Sequence, residues 1–106
     1  MLIELLYVPG CPNHEPALKR LRQVLQSQSL FVSICEVPVK DEAVARSLRF
    51  PGSPTIRVNN RDVEPDGAGW PALACRLYGN GSGVPSEEAI QRAVSSAKGE
   101  SHRESD

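Results

Sequence analysis

Three cysteines and two histidines carry the soft, titratable chemistry of this 106-residue chain. One segment brings one of each together: Tyr7-Val8-Pro9-Gly10-Cys11-Pro12-Asn13-His14. Cys11 follows a Pro-Gly turn and stands just before a helical pattern. The unpaired amide hydrogens and the positive end of the macrodipole favour an anion at such a place. A thiolate, the nucleophilic form of cysteine, is stabilised there. His14 falls within the same first turn, placed to add a positive charge or a hydrogen bond to the thiol. The alternative for Cys11 is a small, half-buried turn residue, and the local residue types leave both readings open.

The other two cysteines differ in setting. Cys75 lies in Ala72-Leu73-Ala74-Cys75-Arg76-Leu77-Tyr78, an apolar island within a Gly-rich stretch. It is the candidate partner of Cys11; the alternative is packing of a Leu73-Cys75-Leu77 apolar face. Cys35 sits within the β-rich run Leu30–Val37 and reads as core packing. Cys11, His14 and Cys75 form a conceivable soft S/N ligand set. No Cys-x-x-Cys pair supports it, so no resident metal is expected, and three cysteines exclude a Cys₄ iron–sulfur cluster held by one chain. Tyr7 before the Cys11 turn and Trp70 in Gly69-Trp70-Pro71 read first as packing residues. No Gly-rich phosphate loop and no supported Ser-His-Asp arrangement is present.

The elements that must position these residues follow from hydrophobic periodicity. Leu2–Val8 is a nearly continuous apolar run stopped by Pro9-Gly10, the pattern of a strand buried on both faces. Leu18, Leu21, Val24 and Leu25 make one face of an amphipathic helix from Pro12 or Asn13 to Gln28. Pro12 and Pro16 fit only in its first turns. Leu30–Val37 is the second strand. Asp41 is the N-cap of a short helix through Leu48, broken by Pro51-Gly52-Ser53-Pro54. Thr55–Val58, an Asn59-Asn60 turn and Arg61–Val63 make a hairpin. Positions 65–85 are loop-like and hold five of the eight glycines. Ser86-Glu87-Glu88 opens a last helix through Val94, and 99–106 reads as a polar, disordered tail. The order is β-α-β-α-β-β-α, with a parallel right-handed crossover between the first two strands. It predicts a small mixed four-stranded sheet with helices on both faces.

That order, together with Gly-Cys-Pro-x-x before the first helix and Gly52-Ser53-Pro54-Thr55 before the hairpin, resembles the thioredoxin-like fold over about residues 2–98. The resemblance implies that 1–98 form one such domain. It also implies that Pro54 is cis against a redox cysteine at position 11, and that Pro12, Ser53, Pro54 and Thr55 shape a substrate groove. A cis bond is accessible at low cost only before proline. More narrowly, the chain is similar to small bacterial thioredoxin-like proteins carrying Pro-Gly-Cys-Pro-Asn-His and Gly-Ser-Pro-Thr, some labelled alkylmercury lyase. His14 stands where the family's redox motif has its second cysteine, so a vicinal disulfide is impossible. Cys11 is then a monothiol, a thiol resolved by Cys75, or part of a redox-dead relative.

Two functions follow as expectations. The first is thiol–disulfide oxidoreduction on a protein or low-molecular-weight thiol, with Cys11 and Cys75 as the reacting thiols and His14 tuning Cys11. The second is capture of a soft metal or organomercurial by Cys11, with or without Cys75, and no redox turnover. A lyase would also need an acid, for which Asp62 and Asp66 are the nearby candidates.

Composition narrows the rest. Twelve Lys+Arg against thirteen Asp+Glu leave a net charge of −1, so no basic surface is expected to grip nucleic acid. At 40% apolar and 24% charged residues, the chain has globular usage. No run approaches a membrane span, and Glu4 interrupts the only apolar run near the start, which has no basic flank. A cytoplasmic location without cofactor is expected, where thiols stay reduced.

Overall fold

The computed structural model describes residues 1–65, 71 and 73–104, with side chains described through residue 99. The elements are β1 (Ile3–Tyr7), α1 (His14–Ser27), β2 (Ile34–Pro38), α2 (Glu42–Ser47), β3 (Thr55–Val58), β4 (Arg61–Asp62) and α3 (Glu87–Glu104). They form a small mixed α/β fold whose four strands stand in the order β2-β1-β3-β4. β1 is parallel to β2 and antiparallel to β3, and β4 returns antiparallel to β3.

The sheet has two coated faces because β1 carries apolar residues on both. Ile3 and Leu5 point to one side and meet Leu18 and Leu21 of α1 and Ile90 and Val94 of α3. Leu6 points to the other and packs with Val39, Ala45 and Phe50 beneath α2. The local signals behave as their chemistry requires. Val44 N–H donates to Asp41 Oδ1 at 2.8 Å, capping α2. Ala89 N–H donates to Ser86 Oγ at 3.1 Å at the start of α3. Asn59 and Asn60 have φ of 51° and 68°, the paired left-handed conformations of a two-residue hairpin turn.

Three features differ from the sequence reading. β2 begins at Ile34 instead of Leu30, and Phe31 is 97% exposed. β2 is also an edge strand, with only Ile34 and Val37 partly buried, and Cys35 is exposed, not a core residue. Cys35 is in register with Glu4. Lastly, α3 continues through Gly99 to Glu104, into the stretch that reads as a tail. One glycine costs a helix only about 1 kcal/mol relative to alanine, which a long helix tolerates.

Candidate functional site

β1 leads directly into the Cys11 turn. Cys11 N–H donates to Val8 O at 3.0 Å, and Gly10 takes a φ of 87°. Val8-Pro9-Gly10-Cys11 thus has proline and a left-handed glycine in the order a type II turn demands. His14 N–H then donates to Cys11 O at 3.2 Å, and α1 begins at His14. The antiparallel register pairs Leu6 with Thr55, so the last residues of β1 and the first of β3 lie at the same end of the sheet. This delivers Gly52-Ser53-Pro54 beside the Cys11 turn, where Val8 N–H donates to Ser53 Oγ at 3.0 Å. The Ser53–Pro54 peptide bond is cis.

A third segment arrives from far along the chain. Ser53 N–H donates to Ala74 O at 2.7 Å and Arg76 N–H donates to Ser53 O at 2.9 Å. These two bonds make a parallel bridge that sets Cys75 alongside Ser53. Cys11, Ser53 and Cys75 consequently line one cavity of about 260 Å³. Val8, Pro9, Pro12 and Leu73 complete its walls, and no charged side chain lines it among the described residues. Cys11 is half-buried, Cys75 is exposed, and all three cysteines are free thiols.

Behind this cavity lies a polar cluster that the sequence reading did not find. Arg76 is 5% exposed. Its guanidinium grips Asp62 through two hydrogen bonds of 2.6 and 3.2 Å, and donates further to Thr55 Oγ1 at 3.1 Å and Glu64 O at 2.7 Å. It also lies over the Tyr78 ring, 4.3 Å from the centroid. Tyr78 donates its hydroxyl proton to Pro54 O. Burial, above all, pushes the Tyr78 phenol well above its ordinary 10.0, Asp62 and Glu64 add to this, and Arg76 and the Thr55 hydrogen bond oppose it. Burial alternates only from Cys75 to Tyr78, and the inward residues are Arg76 and Tyr78. Leu77 is 72% exposed, so the expected Leu73-Cys75-Leu77 packing face is turned outward.

The expected site residues divide accordingly. Cys11, Pro12, Ser53 and Cys75 meet at the cavity. Pro54 and Thr55 are buried behind it, and Thr55 donates its hydroxyl to Gly52 O at 2.7 Å, so its polar group faces inward, away from any groove. The His14 ring stacks on Tyr7 with centroids 3.7 Å apart and 5° between planes, and its Nε2 is 2.7 Å from Glu36 Oε1. It is thus committed to Glu36 and does not line the Cys11 cavity. Asp62 is held by Arg76, while Asp66 and Trp70 lie outside the described residues. Among the described residues no three His, Cys, Asp or Glu side chains cluster to hold a metal ion, and no helix is long and apolar enough to cross a membrane.

A signal for the cluster is present at Gly52, whose φ is 133°. A Cβ there would stand 3.0 Å from Arg76 Cβ and 3.2 Å from Ala74 O. Glycine at this point admits the close approach of a second backbone.

Comparison with known proteins gives no match to any family profile, curated protein or solved structure.

Proposed function

We propose that the chain is a thioredoxin-like thiol–disulfide oxidoreductase in which Cys11 is the attacking thiol and Cys75 the resolving one. The observation that carries this reading is the meeting of Cys11, Cys75 and Ser53 of the cis Ser53–Pro54 bond on one cavity. The element order β-α-β-α-β-β-α and the strand order β2-β1-β3-β4 are compatible with it.

The steps follow from thiol chemistry. The Cys11 thiolate, in front of α1, attacks one sulfur of a substrate disulfide. The substrate S–S bond breaks, one substrate thiolate leaves and takes a proton, and a Cys11–substrate mixed disulfide forms. The Cys75 thiolate then attacks the Cys11 sulfur and expels the second substrate thiol. The substrate has gained two electrons, the protein holds a Cys11–Cys75 disulfide, and a low-molecular-weight thiol or dithiol reductant restores it. Asp62, one of the two acids considered for an organomercurial lyase, is clasped by Arg76 and so is not free to protonate a departing carbon.

Mild oxidation with diamide followed by peptide mapping tests the assignment. The expected product is a Cys11–Cys75 cross-linked peptide with Cys35 free. Recovery of Cys11 only in intermolecular or glutathione adducts would show a monothiol protein, with Cys75 serving the bridge to Ser53 alone. In the Cys75→Ser variant the mixed disulfide on Cys11 should accumulate, and Cys11→Ser should form neither product.

A further inference from the structure

Main-chain groups at a strand end are the usual means by which a protein holds an extended polypeptide, since each free N–H and C=O can pair with the incoming chain. At Ser53 both are already used. Its N–H goes to Ala74 O and its C=O receives Arg76 N–H, so the molecule's own Leu73–Arg76 segment occupies that position as a strap. The strap is fastened from behind: Arg76 is buried and its guanidinium holds Asp62 with two hydrogen bonds. It is also fitted from below, because Gly52 leaves the space that its backbone fills.

What remains open beside Cys11 is a cavity of about 260 Å³ with no charged side chain on its walls among the described residues. That is below the usual range of about 300–1,000 Å³ for sites that enclose drug-sized ligands. Ionised substrate groups would gain no opposite charge from these described walls in return for lost hydration.

From this we infer that the substrates of the proposed thiol chemistry are small, uncharged disulfides, and that the Leu73–Arg76 strap excludes extended polypeptide disulfides. The inference rests on the oxidoreductase reading above. The reaction is the exchange already balanced there: both sulfurs of the small disulfide leave as thiols, and the strap supplies Cys75 as the second thiol.

The test uses the full, fully reduced chain and three disulfides: bis(2-hydroxyethyl) disulfide, oxidised glutathione and insulin. Loss of free Cys11 is followed by acid quench, alkylation and mass mapping. Each rate is divided by that of dithiothreitol with the same disulfide to remove intrinsic reactivity. The neutral small disulfide should lead both others by about tenfold or more, the scale on which a fixed pocket discriminates. Gly52→Ala, whose new Cβ meets the strap, should raise the relative rate with insulin, and Asp62→Asn serves in its place if that variant does not fold. Insulin or glutathione disulfide reacting as fast as the neutral one would overturn the substrate assignment and leave the thiol chemistry standing. An unchanged insulin ratio in a folded strap variant would do the same. Failure of all three disulfides to oxidise Cys11 would overturn the oxidoreductase reading, and this inference with it.

Discussion

Tyr78 shows how one side chain ties the site to the stability of the chain. Its phenol is buried, donates to Pro54 O and lies against the Arg76 guanidinium. Because burial raises its pKa above 10.0, the folded state holds the phenolic proton more tightly than the unfolded state does. The sign follows: this contribution is complete below the unfolded value and is lost as pH climbs through and beyond about 10. Urea midpoints should therefore fall in that alkaline window, and Tyr78→Phe should be less stable at neutral pH but flatter above pH 10. An alkaline fall of equal size in Tyr78→Phe would assign it to other groups. Of this residue-scale chemistry, Cys11 and Ser53-Pro54 were legible in the sequence because their meaning is local: a cysteine after a Pro-Gly turn, a proline between a helix and a hairpin. Arg76 with Asp62 and Tyr78 was not. An arginine inside an apolar island reads as the exposed member of an alternating pattern, and only the tertiary pairing with Asp62 turns it inward.

At the scale of elements, β2 is the strand whose composition misleads. Val, Ile, Phe and Cys suggest a buried strand, yet it lies at the sheet's edge, and position within a sheet is a property of the whole topology. Beside the packing of Ile34 on the core, its polar link to α1 is His14, stacked on Tyr7 and bonded to Glu36, a half-exposed pair of the kind that contributes at most about 1 kcal/mol. The expectation that His14 serves Cys11 rested on proximity along the chain; Glu36, brought over by the parallel register opposite Leu5, receives it instead. Because Cys35 is exposed on β2, Cys35→Ser should shift the stability by no more than about 0.5 kcal/mol in urea unfolding. A loss of several kcal/mol would mean that the strand is covered in solution. The same variant is the clean background for oxidation experiments, since it removes the one thiol that does not line the cavity.

For the molecule as a whole, the sheet separates two apolar layers with no shared buried residue, one under α1 and α3 and one under α2. Mutations in the two layers should act independently. Ile90→Val removes one buried methylene and should cost about 0.5–1.5 kcal/mol, and Val39→Ala roughly twice that by atom count. The double variant should equal their sum to within about 0.5 kcal/mol. A larger coupling, measured by the same urea titrations, would mean that the central strand transmits strain from one layer to the other. The two-layer arrangement itself was readable from the sequence, since β1 is apolar on consecutive positions and each helix carries a single apolar face.

The place of β1 in the sheet has a consequence in time. It is an inner strand, yet both its neighbours lie later in the chain, β2 ending at Pro38 and β3 at Val58. At synthesis speeds of about 5–20 residues per second, roughly 3–10 s separate the making of Tyr7 from that of Val58. Until Pro38 is made both hydrogen-bonding edges of this apolar strand are bare, and until Val58 is made one of them still is. A ribosome-bound chain stopped between these positions is therefore the form of this protein most in need of a chaperone.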